Sequence, residues 1–173
     1  NNTDAKDGFS IASYSLAVRS AAYEKLAEMF MLDKNWAKAE HYALLSKEFN
    51  TQNLSADHAL MVIYRKMNQP EKAKALIDSV LENLPLYHAA RFERFYQGGE
   101  KAMADFKSMI RNELPAQTYM ELAEWYESVG CTDEAVALLS CAGDYPIALY
   151  RKAYLLHQLG NDAESRGLLQ RAE

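Results

Sequence analysis

The chain has 173 residues, 49% of them apolar, and its 19 Lys and Arg against 24 Asp and Glu give a net charge of −5. This composition excludes a disordered chain, a collagen and a disulfide-rich scaffold, and the length suits one domain or one stack of repeats. The acidic balance argues against a nucleic-acid partner, because a protein that neutralises phosphates needs a basic face.

The N-terminal residues are polar, end in Asp7-Gly8 and lack the basic and apolar regions of a signal peptide. We expect residues 1–9 to form a flexible linker or tag remnant, followed by a single helical repeat domain at 10–173. The sequence has no apolar run of about 18 residues, so no membrane partner is expected.

Apolar residues recur at three- and four-residue spacing along nearly the whole chain, and sustained alternation with a period of two is absent from the sequence. This pattern predicts an all-α fold. The predicted helices span 10–32, 36–49, 53–67, 70–83, 86–97, 99–113, 116–129, 132–142, 146–159 and 161–172. The prolines fall between these runs or at their first residue, where they interrupt no helix. Successive helices are expected to pair as five antiparallel hairpins.

The two cysteines, Cys131 and Cys141, flank the predicted helix 132–142. A rise of about 1.5 Å per residue holds their Cα atoms beyond the roughly 7 Å that a disulfide allows. We therefore expect free thiols, which are typical of a reducing compartment. This predicts a cytoplasmic location, with an earlier removed secretory signal as the open alternative.

A small residue recurs in the second helix of each predicted hairpin, at intervals of 34, 29, 33 and 30 residues. These residues are Ala39, Ala73, Ala102, Ala135 and Ser165. Such intervals favour an array of helical hairpins over a closed bundle. The small side chain has a physical reason, because a large one would hold two crossing helices apart.

The fourth unit carries the pattern most completely. Its residues are Tyr119, Leu122, Ala123, Tyr126, Gly130, Ala135, Leu139 and Ala142. The chain here resembles the tetratricopeptide repeat (TPR) family, and the resemblance extends over about residues 20–172. It implies a right-handed superhelical array of antiparallel helix hairpins, a TPR-like α-solenoid of about five repeats. The third unit departs from it, since its first helix, 87–96, fits no single register.

The resemblance also implies where a partner would bind, because in that family the first helix of each hairpin lines the concave groove. The implied positions are Glu24, Glu28, Met31, His58, Val62, Arg65, Met120, Glu124, Glu127, Tyr150, Tyr154 and His157, and the third unit adds His88 and Arg91. Some members bind a C-terminal carboxylate through Lys and Asn of the first helix. Glu24 and Glu28 occupy those positions here and would repel that ligand, so a mixed or basic extended peptide is expected.

Phosphate-loop, nucleophile-elbow and zinc-protease motifs are absent from the sequence. The histidines His41, His58, His88 and His157 are dispersed over four units, so neither a metal nor a cofactor is expected. The leading hypothesis is a non-catalytic protein-protein interaction scaffold that binds a peptide segment or partner domain in its groove.

Three other hypotheses are open. The chain could be the repeat segment of a larger bacterial enzyme or carbohydrate-processing protein, with Tyr150 and Tyr154 at a sugar or domain interface. Exposed ends of the solenoid predict a possible homo-oligomer. The row Glu121, Glu124 and Glu127 could supply paired catalytic carboxylates, although such rows are more typical of a solvated helix face.

Overall fold

The computed structural model describes residues 2–172, apart from the side chains of residues 96–98 and 100. The regular secondary structure within this range is α-helical, which confirms the predicted all-α class. The helices are α1 (Asn2–Ala12), α2 (Arg19–Leu32), α3 (Trp36–Phe49), α4 (Leu54–Lys66), α5 (Pro70–Asn83), α6 (His88–Ser108), α7 (Pro115–Ser128), α8 (Thr132–Cys141), α9 (Pro146–Gln158) and α10 (Asp162–Ala172).

The chain divides into two compact units, one up to Phe106 and the other from Lys107. In the first unit, α2 packs on α3, α3 on α4 and α4 on α5, and α2 also contacts α4. In the second unit, α7 packs on α8, α8 on α9 and α9 on α10. Each unit is therefore built from antiparallel hairpins that stack in chain order. A single repeat domain over 10–173 stays a prediction.

The small residues that define the repeat are largely buried as expected. Ala39, Ala73 and Ala135 have no exposed surface, and Ser165 is also buried. Ala102 is only half-buried. The exception falls in the third repeat, whose sequence fits the pattern least well.

Four turns between paired helices share one geometry, which the sequence shows only in part. Each contains a residue with positive φ: Lys34, Asn68, Gly130 and Gly160. In every case the following amide donates, at 2.8 Å, to the carbonyl four residues before the positive-φ residue. This is a Schellman motif, which satisfies the last carbonyls of a helix. The positive φ at Lys34 and Asn68 was not predictable, because a residue with a side chain adopts this conformation only rarely, although it is allowed.

The prediction for the N-terminus was wrong in two respects. Residues 2–9 belong to helix α1 rather than to a linker, and the predicted helix 10–32 is broken by turns at 13–18. Helix α1 buries none of its residues. It contacts α2 with Ala5, Phe9 and Ala12 half-buried, and Asn2 and Lys6 both pair with Asp33. A polar sequence that reads as a linker is thus ordered by tertiary contacts.

Helix α6 contains a break at Gly99, where the backbone has φ 69° and ψ −152°. Only glycine adopts this conformation without strain. The sequence predicted a turn at Gly98-Gly99, and the backbone does leave the helical conformation there. The segment beyond the break ends at Ser108 rather than at 113.

Candidate functional site

The groove positions predicted in the first unit belong to a polar network that joins its helices. Asn53 caps α4 through its Oδ1, which accepts from the amides of Ser55 (3.1 Å) and Ala56 (3.2 Å). Its Nδ2 donates to Glu24 Oε2 at 2.9 Å and to Ser46 Oγ at 3.0 Å. Glu24 therefore ties α2 to the start of α4 and is not a bare groove carboxylate.

Lys25 lies beside both predicted groove carboxylates on α2. Its Nζ is 2.6 Å from Glu28 Oε2 and 3.3 Å from Glu24 Oε1. Partial burial lowers the pKa of Lys25, but the hydrogen bond and charge of Glu28, followed by those of Glu24, outweigh burial and raise it above its ordinary value. The cation offsets part of the negative charge that was expected to repel an acidic ligand.

Arg65 is bound to a carboxylate that the sequence analysis missed. Its Nε and Nη2 donate to Glu93 of α6 at 2.8 and 3.0 Å, a two-point contact between guanidinium and carboxylate. Glu93 has no exposed surface. The two residues are 28 positions apart, which is close to one repeat interval and was the signal available in the sequence. The predicted groove residue Arg65 thus joins α4 to α6.

Three further groove positions of the first unit, Met31, Val62 and His58, are buried. Burial, followed by the charge of Arg65, lowers the pKa of His58 from 6.5 to about 3. The imidazole is therefore neutral at physiological pH. Buried side chains offer no accessible surface to a partner, so these three residues contribute to the core of the unit.

The buried histidine predicts a loss of stability in mild acid. An unfolded chain protonates His58 near pH 6.5, whereas the folded chain resists protonation down to about pH 3. The contribution of the neutral ring to the free energy of unfolding is therefore complete above pH 6.5, and it decreases as the pH drops below that value. From pH 7 to pH 5 we expect His58 to account for a loss of about 2 kcal/mol in the free energy of unfolding.

Urea denaturation at both pH values measures this loss. In His58→Gln, which carries no titratable ring, the difference between pH 7 and pH 5 should shrink by about the amount assigned to His58. An identical pH dependence in the wild-type and variant chains would show that the folded state does not suppress protonation of His58.

The predicted positions in the second unit are more exposed. Tyr150 and Tyr154, one turn apart on α9, are 46% and 57% exposed. The other side of α9 packs through Leu149, Ala153 and Leu156 against Leu168 of α10. Burial of this apolar side leaves the two tyrosine rings on the surface of the unit.

Arg151 connects this tyrosine-bearing helix to the acidic face of α7. Its Nη2 is 3.1 Å from Glu127 Oε2, and its Nη1 is 3.7 Å from Glu124 Oε2. The Glu124 side chain is 74% exposed. Four predicted groove residues, Glu124, Glu127, Tyr150 and Tyr154, therefore lie on neighbouring helices of one unit. We call them, with Arg151, the α7–α9 face.

The other predicted groove positions, His157, Met120, His88 and Arg91, make separate local contacts. His157 is exposed, and its Nδ1 is 2.6 Å from Asp162 at the start of α10. Met120 is half-buried. In the third repeat, which begins within the first unit, burial and then the charge of Arg91 lower the pKa of His88. Arg91 itself donates to the carbonyl of Pro85.

Cys131 and Cys141 are free thiols, as predicted. No group of three or more His, Cys, Asp and Glu side chains within residues 2–172 is placed to hold a metal ion. None of the helices described is long and apolar enough to cross a membrane.

Comparisons with known proteins give structural likenesses only. No family model and no curated protein sequence match the chain. A mutant of MamA is 14% identical with a TM-score of 0.45, covering 90% of this chain and 96% of that one. MamA MSR-1 C2 is 14% identical with a TM-score of 0.44, covering 90% of this chain and 95% of that one. These likenesses do not assign the chain to a family.

Proposed function

We propose that the chain is a non-catalytic protein-protein interaction scaffold and that a partner segment docks on the α7–α9 face. The observation that carries this proposal is the exposed pair Tyr150 and Tyr154 on α9, the helix whose Arg151 pairs with Glu124 and Glu127 of α7. Tyrosine is enriched at binding hot spots, because its ring supplies apolar contact and its hydroxyl supplies a hydrogen bond. Two such rings on a rigid helix lose little conformational entropy when a partner covers them.

The charges of the face favour a mixed or basic segment. Arg151 offsets one of the two carboxylate charges of Glu124 and Glu127, which leaves one net negative charge in this group. The more exposed carboxylate, Glu124, can accept hydrogen bonds from a partner's Lys or Arg. A cation placed over a tyrosine ring gains a further cation–π contact. An acidic segment would meet repulsion at the same place.

The first unit has a different role in this proposal. Its groove positions on α2 and α4 are buried or paired: His58 is buried, for example, and Glu24 accepts a hydrogen bond from Asn53. Removing these contacts to admit a partner would leave buried polar groups without their hydrogen bonds, which is costly. We therefore assign docking to the second unit and structural support to these positions of the first.

Selection from a random peptide display library against the immobilised full chain tests the docking face. Selected peptides should be enriched in Lys and Arg. Replacing both tyrosines, Tyr150→Ala and Tyr154→Ala, should weaken their binding by about 30-fold, which corresponds to about 2 kcal/mol at a hot spot. Isothermal titration calorimetry with each selected peptide gives the dissociation constants.

The matched control is Tyr14→Ala, which removes an exposed tyrosine of the first unit and should leave peptide affinity unchanged. Circular dichroism verifies that the helical content of both variants is retained. Peptides that bind the double variant as tightly as the wild type would refute the assignment of the face. Binding of glycans that requires the two tyrosines, with no selected peptide, would support the carbohydrate-processing hypothesis instead.

A further inference from the structure

A cavity of about 510 Å³ lies in the first unit, beside α1, α2, α3 and the connector 13–18. Its walls include three tyrosines, Tyr14, Tyr23 and Tyr42, and the basic side chains Arg19 and His41. The volume falls within the range of about 300–1,000 Å³ that is usual for small-molecule sites. The docking face of the second unit uses none of these residues.

The cavity is bounded by a helix that is fixed near its two ends. Toward its N-terminus, α1 pairs with Asp33 through Asn2 and Lys6. At its C-terminal end, Arg19 donates from Nε to the carbonyl of Ser13 at 2.6 Å and from Nη2 to that of Tyr14 at 3.1 Å. Ala5, Phe9 and Ala12 of α1 are half-buried, and these polar contacts fix the helix near both of its ends.

Arg19 carries a charge that the described part of the protein does not neutralise. Two of its five N–H groups donate to backbone carbonyls. Across residues 2–172 no carboxylate forms an ion pair with it, and the residues that line the cavity include no Asp or Glu. A cation in such surroundings favours an anionic ligand, and its planar fork matches a carboxylate.

Aromatic rings extend from the cavity wall in a row. The rings of Tyr23 and Tyr42 are 6.0 Å apart, and those of Tyr23 and Phe49 are 5.8 Å apart. The guanidinium carbon of Arg19 lies 4.8 Å from the centre of the Phe49 ring. Centroid separations of about 4.5–7 Å are those at which aromatic rings attract each other. A ligand ring could pack on the exposed part of this row while its acid group reaches Arg19.

From these observations we infer that the cavity binds a small aromatic carboxylic acid. The carboxylate pairs with the remaining N–H groups of Arg19, and the aromatic ring packs against Tyr14, Tyr23 and Tyr42. Ser13 also lines the cavity, and its hydroxyl donates to the carbonyl of Ser10 at 2.7 Å, so the ligand's charge is met by Arg19. The inference rests on the first unit alone and is independent of the proposed docking function.

Titration of the full, isotope-labelled chain with 3-phenylpropionate, followed by amide NMR shifts, tests this inference. We expect saturable shifts at Ser13, Tyr14 and Tyr42, with a dissociation constant below about 1 mM. The uncharged 3-phenylpropionamide should bind about tenfold more weakly, because a charge-assisted hydrogen bond is roughly twice as strong as a neutral one. Propionate, which lacks the ring, should give no saturable shifts. All three probes use the native chain, so the result does not depend on a variant that folds.

Two variants locate the site. Tyr14→Ala removes a ring that is 82% exposed, and it should weaken 3-phenylpropionate binding several-fold without loss of helix. Tyr154→Ala, in the second unit, should leave this binding unchanged. Equal binding of the acid and the amide, shifts confined to other residues, or no saturable binding of 3-phenylpropionate would each overturn the inference.

Discussion

Replacing Arg65 with methionine is expected to lower the free energy of unfolding of the first unit by about 3–5 kcal/mol. The substitution removes the guanidinium that donates two hydrogen bonds to Glu93, a carboxylate with no exposed surface. A buried carboxylate that loses its cation cannot regain the hydration it gave up on folding. The expected cost is therefore dominated by Glu93 and exceeds the value of the ion pair itself.

The change can be measured in the first unit separately, since the chain has one tryptophan in each unit, Trp36 and Trp125. In a Trp125→Phe background, urea denaturation followed by tryptophan emission reports on Trp36 alone. The same background without the Arg65 substitution is the reference. This comparison separates loss of the Arg65–Glu93 contact from any change in the second unit.

A double variant, Arg65→Met with Glu93→Met, distinguishes this mechanism from simple loss of packing. Removing both charges should restore most of the lost stability, because apolar side chains of similar size need no partner. If the double variant is as unstable as Arg65→Met, the cost does not arise from a stranded carboxylate. The assignment of Arg65 to structural support would then need revision.

Replacing Phe92 with alanine is expected to cost about 3–5 kcal/mol in the first unit. Phe92 lies on α6 with no exposed surface, and its ring is 5.6 Å from that of Phe106 beyond the break at Gly99. Truncation would leave a cavity between the two segments of α6, because close-packed surroundings relax only in part. The third repeat, whose sequence fits the pattern least well, would thus lose the contact between its Phe92 and Phe106 rings.

Phe95→Ala on the same helix is the matched control. The Phe95 ring is only half-buried, so its truncation should cost no more than about 2 kcal/mol. Urea denaturation of both variants in the Trp125→Phe background gives the comparison. Equal costs at the two positions would contradict the placement of Phe92 at the centre of this packing.

The helices were predictable because each carries its own signals. Apolar residues at helical spacing mark one buried side, and a proline or capping residue marks the start. The bounds 36–49 and 70–83 agree with α3 and α5. The N-terminus was not predictable in this way, since α1 buries no residue fully and its partner Asp33 is distant in sequence.

The candidate site was predictable in composition but not in accessibility. Repeat spacing placed His58 and Tyr150 at one equivalent groove position of two hairpins, and Val62 and Tyr154 at another. Spacing alone does not distinguish a buried position from an exposed one. Tertiary contacts do, because His58 and Val62 are buried in the first unit, whereas Tyr150 and Tyr154 stay exposed. Arg151, which joins the tyrosine-bearing helix α9 to Glu124 and Glu127, was missed because an ion pair between helices leaves no periodic signal.

The sequence by itself thus determined the helical class, the hairpin repeat and most helix bounds, because these follow from local periodicity and from backbone preferences that each segment carries. Only the tertiary structure decided which polar residues are buried pairs and which are available to a partner. It also decided that α1 is ordered and that a cavity lies beside Arg19. Those properties depend on contacts between residues far apart in the chain, and the energy of such contacts is set by burial and geometry rather than by spacing.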